Sequence, residues 1–492
     1  MTKMKSLFQF FLPPLFLLGF AAALRINTFG NPMLDWDEQY YLFGGGRLLH
    51  GDIPYVDFWD RKPVGLFLIY GFFHLFGPYR IVAYQTGALL ALWATALLIR
   101  RMARIIAPPG GAFMAAVIYE IWPILARGES GQSPIFYNLP VACAMALIVT
   151  HIADLRTTDT AYRRKIGTLA MLLFGLAIQI KYTVVFEGIF AGVYLLYLSI
   201  TSRDGLYRTM LNALVWISVA LAPTVAVYLF YAVIGHGHEW IYANILSVFG
   251  RAPEDTHVLL HRVSRILLVT APFAAALLRA RAPGIPRTRG KASEIGFLNM
   301  WTVVSIAAVA VFGTWYIHYV LPVFVPLSIE TAPLFCKGTG KVMLYLMCGT
   351  GIIWGQFMIA RHLGSEGNSA LFHTLEKQVA YGRDGCFFIY KGPVSLYDDL
   401  PYCHLTDHPF PSHFSLEKES QSTGMDPVKE MNIVLSQKPA YIITGGEEVP
   451  GENHAVRATL YDALTRQYTM IYGWTPKHAS SNDRVTVYKR VD

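Results

Sequence analysis

Two adjacent acids, Asp37 and Glu38, stand just after the first apolar run, in NPMLDWDEQYYLFGGG, and the same stretch closes on Asp60-Arg61-Lys62-Pro63 in VDFWDRKPVG. A positioned carboxylate takes a proton from a reacting hydroxyl. A lysine or arginine neutralises negative charge as it develops. Acids at the start of a helix are also stabilised by its dipole, so capping is a second reading of Asp37 and Glu38, and solvation is the plain reading of any acid in a loop. A second candidate is Lys181, in the otherwise apolar GLAIQIKYTVVFEG, with Glu187 further along. An ionisable group at membrane depth is costly and marks function by default, unless a long side chain snorkels to the interface. A third is GTWYIHYVLPVFVPL, which holds Trp315, Tyr316, His318 and Tyr319; Trp and Tyr also populate the interfacial belt without further purpose. Glu129, Gln132 and Asn138 in ARGESGQSPIFYNLP read first as a solvated loop. His236 and His238 in GHGHEW lack the further ligand that a metal site needs.

The elements that carry these residues belong to a membrane protein. The 492 residues are 54% hydrophobic and only 15% charged, against about 25% charged in soluble domains. Spans of roughly 20 apolar residues are expected at 7–24, 80–99, 112–127, 138–154, 166–181, 183–200, 210–234, 262–280, 296–313, 318–335 and 341–360, about 11 helices in all. The net charge of +8 lies in every second loop: Lys3 and Lys5, then Arg100, Arg101 and Arg104, then Arg156, Arg163, Arg164 and Lys165, then Arg203 and Arg208, then Arg279, Arg281, Arg287, Arg289 and Lys291, then Lys337 and Lys341. Basic residues distributed this way orient a chain in a membrane and do not indicate nucleic acid. They place the first, long loop, Lys181, His318 and the polar tail together on the non-cytoplasmic side.

Within the first loop, PVGLFLIYGFFHLFG is too short to span and reads as a helix lying in the interface. GGG at 44–46 reads as loop beside a membrane helix. It precedes no strand–helix unit, so a nucleotide-phosphate loop is not indicated. The expected division is a transmembrane domain, 1–360, and a small α/β domain, 361–492. In the latter, FFIYKGPVSLY, AYIITGG and RVTVYKR alternate like strands, while PVKEMNIVLSQ and AVRATLYDALTRQY have helical spacing. The five cysteines include no CxxC pair, which leaves Cys386 and Cys403 either free or disulfide-bonded in an exported domain.

The ordered set of Asp37-Glu38 after the first helix, GDIPYVDFWDRKP, and LFG before the second resembles the type C membrane glycosyltransferases that use polyprenyl-phosphate sugars. These are the dolichyl-phosphate-mannose protein mannosyltransferases and the bacterial aminoarabinose transferase of lipid A. Lys181-Tyr182-Thr183 and the His318-Tyr319 segment resemble further stretches of that family. Here Val64 follows Lys62-Pro63 where the family has a second proline. The resemblance implies a multi-pass protein of the bacterial inner membrane with an extracytoplasmic C-terminal domain. It implies inverting transfer of a sugar from a polyprenyl-phosphate donor to a lipid, glycan or protein acceptor. Asp37 would be the base and Glu38 its neighbour in that role. Lys62, Arg61, Asp60, Lys181, His318 and Tyr319 would surround the donor. The resemblance fixes no cofactor and leaves a divalent metal open. The alternative is a polytopic transporter or flippase of a lipid-linked sugar.

Overall fold

The computed structural model describes residues 2–157, 159–282, 292–311, 313–380, 385–475 and 484–491, with side chains from residue 12 onward. Lys3, Lys5, Arg287, Arg289 and Lys291, which belong to the basic-loop pattern, lie outside the described side chains. Among the described residues, nine helices are long and apolar enough to cross a membrane: Gly77–Ile106, Pro109–Ala126, Ser133–Thr150, Tyr182–Thr201, Leu206–Val233, Thr256–Arg281, Ala292–Val311, Ile317–Cys336 and Gly338–Val379. Each contains or overlaps an expected span. The other two expected spans coincide with helices as well: 7–24 lies within Thr2–Arg25, and 166–181 overlaps Thr160–Ile178, which ends three residues earlier. The second opens on Arg163-Arg164-Lys165, which shortens its apolar run. The chain is a multi-pass, mostly helical membrane protein with a small C-terminal sheet domain.

The chain divides into two compact units. The first comprises Met1–Thr28, Gln85–Ala226 and His257–Ile359; the second comprises Phe29–Tyr84, Val227–Thr256 and Ala360–Asp492. In the first unit, aromatic rings fill the space between spans. Trp122 meets Phe273 edge-on at 5.0 Å, and Phe273 stacks on Phe324 at 5.6 Å. Gly167 leaves room for the Trp216 indole, which lies 2.4 Å from where a β-carbon would stand.

The second unit joins the first loop to the C-terminal residues. The loop forms two helices, Trp36–Leu49 and Val64–His74. The latter is roughly 16 Å long at 1.5 Å per residue, too short to cross a bilayer core of about 30 Å. GGG at 44–46 is not loop: it lies inside the Trp36–Leu49 helix. A β-carbon on Gly45 would meet the Gly71 nitrogen at 2.4 Å and the Tyr70 carbonyl carbon at 2.7 Å, and one on Gly44 would meet the Phe67 ring at 2.7 Å. Backbone therefore packs against backbone where the two helices meet. That contact offsets a helix-propensity cost of about 1 kcal/mol per glycine, which local reading takes for a loop signal.

The C-terminal residues form a four-stranded sheet of order β1-β2-β4-β3, with β1 Phe387–Ile389, β2 Tyr441–Thr444, β3 Tyr468–Trp474 and β4 Val485–Arg490. β1 and β2 are parallel, and β4 runs antiparallel to both β2 and β3. Helices Pro427–Ser436 and His454–Gln467 begin at the caps Asp426 and Asn453. They bury Met431, Val434, Val456 and Leu460 against Phe388 and Ile442. β3 is absent from the sequence reading because YTMIYGW follows a helix with no turn residue between them. Cys386 and Cys403 form a disulfide across 17 positions. Asp398 receives His74 Nε2 at 2.9 Å and pairs with Arg80, which ties the domain to the loop.

Gly45→Ala should destabilise the protein in spite of alanine's better helix propensity. Overpacking costs about 1–3 kcal/mol, and here the obstacle is backbone that cannot swing aside. Thermal unfolding of the purified protein should show a lower midpoint; a raised midpoint would contradict the close approach.

Candidate active site

The helix Trp36–Leu49 begins at Asp35, whose carboxylate accepts the Asp37 N–H at 2.9 Å. Asp35 is thus the N-cap, and Asp37 and Glu38 fall in the first turn. Positions four apart share a helix face, so Asp37 and Tyr41 stand side by side. Lys62 lies over that face: its Nζ is 3.7 Å from Asp37 Oδ1 and 4.8 Å from the centre of the Tyr41 ring. Both charged side chains keep partial access to solvent, 19% for Lys62 and 25% for Asp37. Glu38 is buried.

Asp60 is buried as well, and its Oδ1 accepts the Arg61 N–H at 2.6 Å. Burial pushes its carboxyl above the ordinary range against the pull of the Lys62 ammonium, and the Asp37 charge pushes the same way. Arg61 points elsewhere. Its guanidinium pairs with Glu419, reaches Ser422 Oγ at 2.5 Å and lies 5.3 Å over the Trp59 ring. Burial alone would raise the Glu419 carboxyl, but Arg61 and Arg251 outweigh it and hold it below the usual range.

The first unit carries the remaining candidates. Lys181 precedes the turn Tyr182–Val184, is 8% exposed, and stands 4.6 Å over the ring of Tyr319. Lys181 and Tyr319 line one cavity with Tyr137, Thr183, Glu187 and Ser305. Glu187 receives Trp301 Nε1 at 2.6 Å and Ser305 Oγ at 3.0 Å, which fixes its carboxylate within the helical packing. His318 meets the Tyr319 ring edge-on at 4.9 Å and stacks on Tyr316 at 5.8 Å. Arg262 lies over the Tyr316 ring, 4.3 Å from its centre, and donates to the Thr314 carbonyl at 3.2 Å. Nothing in the sequence separates Arg262 from the other basic residues of its helix.

The second unit therefore brings together Asp37, Asp60 and Lys62, with Arg61 turned toward Glu419. The first brings together Lys181, His318 and Tyr319. Asn138 is buried and donates toward Tyr119 Oη at 3.3 Å, so it belongs to helix packing. Among the described residues no three His, Cys, Asp or Glu gather closely enough to hold a metal ion.

No protein-family model matches the chain, and no curated protein is significantly similar to it. Solved structures are. ArnT from Cupriavidus metallidurans bound to undecaprenyl phosphate matches with a TM-score of 0.61 and 15% identity over 97% of this chain and 98% of that one. The same protein in the apo state matches with a TM-score of 0.63 over 97% of each chain. The chain has the ArnT fold. The archaeal oligosaccharyltransferase AglB from Archaeoglobus fulgidus, in complex with an inhibitory peptide and a dolichol-phosphate, matches more loosely, with a TM-score of 0.52 and 12% identity over 95% of this chain and 73% of that one. The fold implied by the motif resemblance is the fold observed.

Two histidines behind the Asp60–Lys62 segment, both in the second unit, set a pH dependence. His408 stacks at 5.7 Å on Trp59 and His413 meets the same ring edge-on at 4.8 Å. Burial pushes His408 down to about 4, and burial, His408, Arg61 and Lys62 push His413 well below the ordinary range. Both are neutral when folded and gain protons on unfolding. Stability from this source is present above the unfolded value, about 6.5, and is lost as pH falls toward the folded values. For His408 the loss between pH 7 and pH 5 is about 2 kcal/mol. Thermal midpoints should fall across that range, and less steeply in His408→Asn; identical slopes would refute the assignment.

Proposed function

We propose that the protein is a glycosyltransferase that moves a sugar from a polyprenyl-phosphate donor to an acceptor at the outer face of a bacterial inner membrane. The observation that carries the reading is the Asp37–Lys62 juxtaposition at 3.7 Å on a partly open helix face. It is a carboxylate suited to take a proton beside an ammonium suited to a phosphate. The ArnT fold supports the choice of donor, since that relative was solved with undecaprenyl phosphate. The Cys386–Cys403 disulfide supports an extracytoplasmic C-terminal domain, because disulfides persist in oxidising compartments.

In the proposed reaction the acceptor hydroxyl gives its proton to Asp37 as its oxygen attacks the anomeric carbon. The bond from that carbon to the phosphate oxygen breaks, and polyprenyl phosphate leaves with the electron pair. One displacement inverts the anomeric centre and needs no covalent enzyme intermediate. Glu38 and Asp60 shape the field around Asp37. Lys62 neutralises the phosphate. In the first unit, Lys181 with His318 and Tyr319 beside it is a second group suited to a substrate, a cation against an aromatic and imidazole wall. The acceptor is a lipid, a glycan or a protein. A transporter needs no base, and the Asp37–Lys62 pair would then have no task.

Asp37→Asn should lower sugar transfer from a polyprenyl-phosphate donor by about 10²–10⁴-fold, the usual worth of a positioned base, with binding of undecaprenyl phosphate within about threefold of the wild type, since the phosphate contacts are untouched. Full transfer activity in this variant would remove Asp37 from the mechanism.

A further inference from the structure

The four residues that end in Lys62 are anchored one by one. The Trp59 N–H donates to the Asp407 carbonyl at 2.6 Å, and the Trp59 carbonyl accepts from Tyr40 Oη at 2.9 Å. The Asp60 carboxylate accepts the Arg61 N–H. The Arg61 guanidinium binds Glu419 and Ser422. The Lys62 carbonyl accepts from Tyr55 Oη at 2.7 Å. Asp407, Glu419 and Ser422 all belong to the C-terminal residues, more than 340 positions away in sequence.

Glu419 does more than close one pair. It sits on the short helix Glu417–Ser420, and its other oxygen is 3.3 Å from Arg251 Nη2, in the segment Val227–Thr256. Its neighbour Lys418 pairs with Glu254 of that same segment. Two guanidiniums from two different loops thus converge on one buried carboxylate. Without it they would repel each other where both are largely shielded from solvent and charge is less screened. Arg61 is bonded directly to Lys62, so anchoring its side chain restrains the backbone from which the lysine reaches.

We propose that Glu419 is a positioning residue, which acts through Arg61 to hold the Lys62 ammonium over Asp37 and Tyr41. On this assignment Arg61 is the strap of the phosphate-binding lysine and not a phosphate ligand. The C-terminal domain is then a structural part of the donor site. The inference rests on the function proposed above. A displacement of about 1 Å at such a site can cost about 100-fold.

The test uses the full chain in lipid nanodiscs, titrated with undecaprenyl phosphate. Lys62→Gln, Arg61→Gln and Glu419→Gln should each weaken binding roughly tenfold or more. Neighbours that act as a unit are non-additive. Glu419→Gln should therefore add nothing in an Arg61→Gln or a Lys62→Gln background, whereas a general loss of structure would weaken binding by the same factor in every background. Ser422→Ala removes one contact of Arg61 and should weaken binding less, with the same non-additivity; it carries the test if Glu419→Gln does not fold. Equal factors in all backgrounds, or unchanged binding in Glu419→Gln, overturn the proposal. Tighter binding in Glu419→Gln together with weaker binding in Arg61→Gln overturns it in favour of Arg61 as a direct ligand. A wild-type chain that does not bind undecaprenyl phosphate, or Lys62→Gln binding as the wild type does, overturns the donor reading itself and this inference with it.

Discussion

An ammonium held beside a carboxylate on a helix face with partial access to water is the contact on which the second unit turns. Lys62 is neither buried nor free. It lies over Tyr41, whose ring supplies a cation–π contact, and beside Asp37. Both partners come from a single helical turn, because a spacing of four residues puts their side chains on one face. The rest of the unit can be read as the means of keeping a flexible lysine there. Glycines let the Val64–His74 helix lie close against the Trp36–Leu49 helix, and the loop between them is fastened at its end.

A similar economy governs the first unit. Charge at membrane depth is expensive, and this chain spends it sparingly. Lys181 rests on an aromatic ring, and Glu187 is met by the donors Trp301 and Ser305. Arg262 likewise faces Tyr316. Rings of tyrosine recur as the surface against which cations are set, in keeping with the attraction between a cation and an aromatic face where water is scarce.

Much of this was legible in the sequence where the cause is local. Continuous apolar runs and alternating basic loops give the helices, and strand-like alternation gives three of the four strands. The candidate acids and lysines stand out as charges in loops between apolar runs. What the sequence hid depends on contacts between distant residues. GGG at 44–46 is a loop signal by composition and a helix interior by packing, since the Val64–His74 helix supplies what glycine lacks. The Arg61–Glu419 pair is out of reach of the sequence because its partners stand 358 positions apart. β3 had no turn to announce it. Asp35 and Asp37 are equivalent by residue type, and only the backbone decides which of them caps the helix.

That last distinction separates two kinds of selection. Since Asp35 secures the start of the helix, the side chain at 37 can change without loosening the turn that presents it, and the side chain at 35 can change only at the expense of that turn. Divergent copies of this chain could therefore lose chemistry while keeping architecture, and would be recognised by an intact acid at 35 next to a neutral residue two places on.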